Sequence, residues 1–195
     1  IADDKPKEVV DIYKKIIVNC FNQDIGTRNN SQKITHNTEW KKYFQSNPNF
    51  LEYGDKSAEI IDFGIFDNEN NPLESVLSDE LVTFKMKVRF NKTIINPIFA
   101  VAIKDIKGTE LMGTNTLYEG IDTGTFHEGQ QVSISFTQRL NLRTDNYTVS
   151  FGCTNFHEDN LVVYHRLYDI LLFRAISLKS LAGIYDMCSQ ISINK

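Results

Sequence analysis

This chain contains no apolar run near the roughly 18 residues that a membrane-spanning helix requires. It opens on Ile1-Ala2-Asp3-Asp4, acidic where the n-region of a secretory signal is basic. Cysteine is scarce and odd in number: Cys20, Cys153 and Cys188 lie far apart. That spacing excludes a disulfide framework, and free thiols point to a reducing compartment. Basic runs go no further than pairs such as Lys14-Lys15, and the net charge is −4. A nucleic-acid binder needs a concentrated basic patch, so no nucleic-acid partner is expected. A mildly acidic chain is also a poor ligand for anionic lipid. The phosphate-cradling P-loop, the dinucleotide-binding glycine fingerprint and the Gly-x-Ser-x-Gly nucleophile elbow are all missing. The chain is therefore read as non-enzymatic, with no catalytic residue and no cofactor.

What is present is an ordinary globular composition. The chain has 195 residues, 41% hydrophobic and 24% charged. That suits one full domain plus an accessory segment, with a core that needs neither disulfide nor metal. Residues 6–21 read as a helix: Pro6 fits the first helical position, and Val9, Tyr13, Ile16, Ile17 and Cys20 form one apolar stripe. Residues 22–56 are polar and broken by Gly26, Asn29, Asn30 and Ser31. They read as a linker wrapping onto the next domain, with a short helix near 38–45 and with Trp40 packing against that domain. The expected division is 1–56, helix and linker, and 57–195, a β domain. With Ile1 rather than Met at the start, the chain is expected to be a fragment of something larger.

From Ser57 the hydrophobic period changes from 3.6 to 2. Ile61, Phe63 and Ile65 alternate with Asp62 and Gly64. Val82, Phe84, Met86, Val88 and Phe90 alternate with Thr83, Lys85, Lys87 and Arg89. Phe99, Val101 and Ile103 form the next buried row, then Val132, Ile134 and Phe136, then Tyr147, Val149 and Phe151. Leu161–Tyr164 and Ile170–Ile176 read as two further strands, and Gly183–Ile193 as a last short one. Roughly seven to nine strands with turns every 8–12 residues spell a mainly β fold, an immunoglobulin-like or jelly-roll antiparallel sandwich.

The four histidines, His36, His127, His157 and His165, have no zinc-like spacing, so no metal site is expected. The acid pairs Asp67/Glu69 and Glu158/Asp159 sit in polar turns, where carboxylates are ordinarily just solvated. Cys153 shares the core face and reads as a small apolar filler. The remaining candidate is a surface. Opposite the core, strands 97–104 and 147–154 carry Ala100, Ala102, Lys104, Thr148, Ser150, Gly152 and Thr154. If the strands pair, these form a shallow trough of small and hydroxylated side chains, rimmed by Tyr118, His165, Arg166 and Tyr168. Sugars suit such a trough, because they offer hydroxyls to hydrogen-bond and C–H faces to stack on aromatics. Neutral hydrogen bonds gain only about 0.5–1.5 kcal/mol each, so affinity would be modest. The plain alternative is a solvated sheet face.

Particular residues carry a family resemblance. Asn96-Pro97-Ile98-Phe99-Ala100-Val101-Ala102-Ile103-Lys104-Asp105, then Gly108-Thr109 and Gly113-Thr114-Asn115-Thr116, resemble the signature of the Wzt C-terminal domain. Tyr53-Gly54 with Ala58-Glu59-Ile60, Tyr147 through Gly152, Val163-Tyr164 with Asp169 and Phe173, and Gly183-Ile184 resemble further parts of it. Pro6 through Tyr13 resembles the segment that leaves the nucleotide-binding domain in such subunits. Residues 26–52 are not placed by the resemblance. His165 and Arg166 depart from its pattern, which often has an acid and an aromatic there.

The resemblance implies a carbohydrate-binding domain of the ATP-binding subunit of an O-antigen polysaccharide ABC transporter. It implies a cytoplasmic location, peripheral at the inner membrane, with the transmembrane subunit as a partner through a missing ATPase domain. It further implies a homodimer with exchanged C-terminal strands and recognition of the modified non-reducing end of the polysaccharide. A dimerisation or protein-interaction domain without glycan binding is the alternative. By its composition, Gly113-Thr114-Asn115-Thr116 itself reads as a structural turn.

Overall fold

A computed structural model describes residues 39–158 and 160–194. The expected helix over 6–21 lies outside the described residues. Among the described residues eleven strands form: β1 Leu51–Tyr53, β2 Ala58–Phe66, β3 Ser75–Leu77, β4 Leu81–Phe90, β5 Ile94–Ile95, β6 Ile98–Asp105, β7 Glu110–Asn115, β8 Thr125–Phe126, β9 Gln131–Arg139, β10 Asp145–His157 and β11 Asn160–Ile176. One sheet runs β1-β11-β10-β6-β7, with β3 lying parallel to the end of β11. The second runs β2-β4-β9, and β5 and β8 make a small ribbon. The two main sheets make the antiparallel sandwich that the alternation predicts.

The core lies where the alternating rows meet. Val82, Phe84, Met86, Val88 and Phe90 are all buried, as are Phe99, Val101 and Ile103 opposite them. Aromatic pairs cross between the sheets: Phe63 stacks on Phe151 at 6.0 Å, and Phe84 meets Phe173 edge-on at 6.2 Å. Such pairs add about 0.5–1.5 kcal/mol each beyond the area they bury. Tyr147, fully inside at the start of β10, donates its hydroxyl to the Arg143 carbonyl at 3.0 Å. This is the tyrosine corner of immunoglobulin-like sandwiches, which ties a strand entry to the preceding loop. Cys153 is buried as expected, and burial pushes its thiol up to about 12.

The alternation breaks in three places. In β2, Ile60 and Ile61 together oppose Val88, a β-bulge. The extra residue turns Ile61 to the outer side, so Ala58, Ile60, Phe63 and Ile65 make the buried row. The two strands expected over 161–176 are a single strand, β11, because its irregularity is an insertion rather than a turn. Phe151 faces Leu167 while Val149 faces Leu171, leaving Tyr168, Asp169 and Ile170 opposite Ser150. Asp169 takes φ +55° there, a backbone state that short polar side chains tolerate best. The expected strand over 183–193 does not form. Only residues 184–186 pair, with 141–143, through Arg143 N–H to Ile184 O (2.8 Å) and Asp186 N–H to Asn141 O (2.7 Å). Beyond them no neighbouring edge among the described residues receives the tail.

Residues 39–56, placed by sequence in the linker, pack on the sandwich. The Asp62 carboxylate accepts the backbone N–H groups of Trp40 and Lys41 at about 2.9–3.0 Å, at the start of a 3-10 turn Lys41–Tyr43. Trp40 meets Phe66 edge-on at 5.6 Å, and the Lys87 ammonium lies 4.7 Å from its ring. β1 then adds to β11 through Leu51–Tyr168, Glu52–Leu167 and Tyr53–Arg166.

Candidate functional site

The strands named from the sequence do pair. In β6 and β10, Ala100 lies opposite Gly152, Ala102 opposite Ser150, and Lys104 opposite Thr148. Residues directly opposite each other share a face, so these six form a continuous outer floor. β7 extends it, with Asn115 beside Ala100 and Gly113 beside Ala102. A β-carbon at 113 would come within 3.2 Å of both the Ala102 side chain and the Val101 carbonyl, so only glycine fits there without displacing β6. Four residues with little or no side chain leave bare backbone, and the hollow above them measures about 480 Å³.

The walls come from both sides. Beyond β7, Tyr118 stands 79% exposed, held by its N–H on the Asn115 side-chain carbonyl at 2.8 Å. Gly113-Thr114-Asn115 is thus strand, and the turn begins at Asn115. Thr116 closes the turn inward by accepting the Phe99 N–H at 3.1 Å. The opposite wall is Arg166 and Tyr168 from β11. Arg166 lies over Gly152, where an added β-carbon would touch its stem at 3.4–3.5 Å. Its guanidinium donates to the Tyr168 hydroxyl and sits 5.4 Å from that ring. The Lys104 ammonium lies 4.6 Å from the Tyr168 ring, and Tyr53 stacks on it at 5.8 Å. The Tyr168 phenol is held above the ordinary tyrosine range, first by its hydrogen bond with Tyr53 and then by burial.

The hydroxyls of the floor are engaged internally. The Thr148 hydroxyl donates to the Asp169 carboxylate at 2.8 Å, and Ser150 does so at 3.3 Å. Ser150 also accepts the Asp169 backbone N–H at 2.8 Å. Lys104 completes the cluster, 3.5 Å from the same carboxylate oxygen. The bulge of β11 is what brings Asp169 over these strands. The cluster ties up the polar side chains at one end of the groove, and Arg166, Tyr118, Tyr168 and open backbone line the rest.

The expected residues therefore divide. Ala102, Tyr118, Ser150, Arg166 and Tyr168 line the groove. Lys104 and Thr148 stand at its end within the Asp169 cluster. Thr154 is buried at the far end, opposite Ile98 and Val163. His165 lies on the other face, 2% exposed. Its Nδ1 accepts the Ile60 N–H at 2.9 Å, and its Nε2 meets Glu52 at 3.0 Å. It clamps β11 to β2 and β1. Adjacent strand residues point to opposite faces, so His165 and Arg166 do not share a rim.

Sequence reasoning missed Tyr53, Gly113, Asn115 and Asp169 as parts of the site. The first three were reachable by continuing the β6–β7 hairpin register and by pairing β1 with β11. Asp169 depends on a bulge that alternation does not reveal. Among the described residues, no three His, Cys, Asp or Glu side chains gather to hold a metal ion. No helix among them is long and apolar enough to cross a membrane.

Comparison with known proteins bears on both fold and family. Among curated proteins, none matches this chain. The crystal structure of the C-terminal domain of wzt superposes with a TM-score of 0.74 at 21% identity, covering 85% of this chain and 100% of that one. At that identity the likeness concerns the fold. The sequence model of the Wzt C-terminal domain matches residues 49–187, from just before β1 to beyond the paired segment of the tail. This chain belongs to the Wzt C-terminal domain family.

Proposed function

We propose that this domain binds carbohydrate in the groove over β6, β7, β10 and β11. Its ligand is the modified non-reducing end of an O-antigen polysaccharide. Binding there would mark a finished polymer for the ABC transporter whose ATP-binding subunit carries the domain, at the cytoplasmic face of the inner membrane. The observation that carries this reading is the floor of Ala100, Ala102, Gly113 and Gly152 beneath an exposed aromatic, Tyr118. A pyranose ring can lie on bare backbone only where side chains are this small, and an aromatic wall offers its C–H face a partner. The test is calorimetry or NMR titration of the folded chain with polysaccharide from the source bacterium, intact and with its end group removed. Binding of the intact polymer alone is expected. No binding of either would overturn the proposal.

A homodimer with exchanged C-terminal strands is a second reading with its own observation. Met187, Ile191 and Ile193 are more than 80% exposed in the tail. Strand β9 is an open edge whose Val132, Ile134 and Phe136 are only half-buried. Exposed apolar chain and an uncovered edge fit each other across two copies. Deleting 183–195 is expected to convert a dimer to a monomer in light-scattering mass measurement. A full-length monomer would sink this reading, and loss of the dimer with glycan binding intact would separate the two roles.

A further inference from the structure

The segment from Trp40 to Tyr53 crosses from one sheet of the sandwich to the other. Its first end is fixed on β2. Asp62, itself 3% exposed, accepts the backbone N–H groups of Trp40 and Lys41. The Phe44 ring lies against Gly64, where any β-carbon would overlap it, and meets Phe66 edge-on at 5.8 Å. The other end is fixed on β11. The Asn47 N–H donates to the Ile170 carbonyl at 3.0 Å, the Leu172 N–H donates to the Gln45 carbonyl at 3.4 Å, and β1 follows. The segment is thinly held: between residues 40 and 53, Phe44 alone is buried. A segment with so little apolar burial opens at a lower free energy than the core beneath it.

This strap grips β11 at its bulge. Ser46 bridges Leu171, and Leu51 lies opposite Tyr168. Residues 47–50 therefore bow out against Asp169 and Ile170. The bow is closed by the Phe50 N–H on the Asn47 carbonyl at 3.2 Å and by the Asn49 N–H on the Asn47 side-chain oxygen at 3.0 Å. On its groove side the same bulge carries Tyr168 and the Asp169 cluster. Asp169, at φ +55°, holds a backbone state that persists only where its surroundings fix it. Thr148, Ser150 and Lys104 fix it from the groove, and the strap fixes the outer edge through the neighbouring Ile170 carbonyl.

The strap also supplies part of the groove wall. Tyr53 stacks on Tyr168, while Glu52 turns to the opposite face and meets His165 and Lys56. Lifting the strap takes Tyr53 from the Tyr168 ring, leaves that ring to Lys104 and Arg166, and frees the outer edge of the bulge. Both changes alter the wall. A ligand resting on Tyr168 therefore binds the seated and lifted arrangements with different affinity. Such a difference is what lets occupancy of the groove and seating of the strap bias each other.

We infer that Trp40 to Tyr53 form a detachable strap whose seating sets the groove wall, coupling the groove to the chain that enters the domain at Trp40. This inference rests on the groove being the glycan site. A pull on the chain ahead of Trp40 lifts the strap and weakens binding, and a bound polymer holds the strap down. The coupling is reciprocal: the factor by which a seated strap tightens binding is the factor by which the ligand protects the strap. Couplings between sites typically start at about fivefold, and that low end is expected here because the strap meets the groove only through its wall.

The test uses the whole chain and intact polysaccharide from the source bacterium. Hydrogen exchange at the Trp40 and Lys41 amides is followed by NMR with and without polysaccharide. Calorimetry gives Kd for the wild type, Phe44→Ala, Asp62→Ala and Thr83→Ala, each first checked for native peak dispersion. Saturating polysaccharide is expected to slow exchange at Trp40 and Lys41 about fivefold, and to leave Gln130, in the exposed turn between β8 and β9, at its own rate. Phe44→Ala and Asp62→Ala should weaken binding by up to the same factor and shift the amides of Tyr168 and Asp169 in the free chain. Thr83→Ala, on the same outer face but off the strap, should do neither. The exchange measurement needs no variant, so it decides the matter even if a variant misfolds. Binding without slowed exchange at Trp40 and Lys41 overturns the inference and leaves the glycan site standing. Equal slowing at Gln130, or equal weakening in Thr83→Ala, marks a general change in stability and overturns it too. No binding by the wild type removes the glycan site and the inference with it.

Discussion

The two outer faces of the sandwich are built by the same alternation and finished in opposite ways. On the β2-β4-β9 sheet, the outward row of β4 is Thr83, Lys85, Lys87 and Arg89. Long aliphatic stems cover the backbone, and the charged heads find partners. Arg89 meets Glu59 at 2.6 Å, Lys87 meets Asp62 at 3.7 Å, and Thr83 meets Thr137 across the strands at 2.9 Å. On the other sheet the outward row is Ala100, Ala102 and Lys104 beside Gly152, Ser150 and Thr148. Its backbone lies open under the groove, and its polar groups are gathered at one end by Asp169. Periodicity decides that a face looks outward. Side-chain size decides whether that face is merely solvated or can receive a ligand.

The comparison breaks most sharply if the open face can be filled without consequence. Ala102→Trp should abolish measurable glycan binding in calorimetry while the chain stays folded. Ser133→Trp, on the other outer face, should leave binding unchanged. Equal effects from the two would mean the groove has no special role.

A smaller effect concerns the polar clusters. Asp169→Ala orphans Thr148, Ser150 and Lys104 and places alanine at φ +55°. A loss of about 3 kcal/mol is expected from urea unfolding. Glu59→Ala on the opposite face removes an exposed ion pair and should cost about 1 kcal/mol or less. Similar losses would show that the Asp169 cluster is as dispensable as an ordinary surface pair.

The smallest effect is a pH dependence. The Lys56 ammonium, first, and then His165 hold the Glu52 carboxyl below the usual glutamate range. A depressed folded pKa means that this group's contribution is complete above the ordinary glutamate value. It is lost as pH falls through the lower folded value. Glu52→Gln should therefore flatten the acid side of the stability profile. The side chain is 36% exposed, so solvent screening keeps the change below about 1 kcal/mol. An unaltered acid limb would remove Glu52 from the clamp on β1.

Much of this was legible in the residues. The buried rows of β4, β6, β9 and β10 follow from period two alone, and the pairing of β6 with β10 placed the floor of the groove. The rest depends on events with no local signature. A bulge inserts residues without changing composition, so Ile61 fell on the wrong face and Asp169 was not seen above Thr148. Treating His165 and Arg166 as one rim ignored the alternation that correctly ordered the other strands. β1 reads as linker because its strand character comes from β11: the Glu52–His165 contact spans 113 positions of chain. The tail reads as strand because its apolar residues alternate, yet strand formation also requires an edge to pair with.

The position of β11 in the first sheet has a consequence for synthesis. It is the last strand among the described residues, yet β1, β3 and β10 all pair with it. The β2-β4-β9 sheet is complete in the growing polypeptide once Arg139 has emerged. The other sheet has β6, β7 and β10 by His157, but β1 and β3 find no partner until β11 follows from the ribosome. Until then Phe84 waits for Phe173 of β11, while Phe63 and Phe90 already have Phe151 and Phe99 available. That interval is when a nascent chain is most exposed to aggregation and most in need of a chaperone. The strand that holds Arg166 and Tyr168 is also the one whose arrival closes the domain.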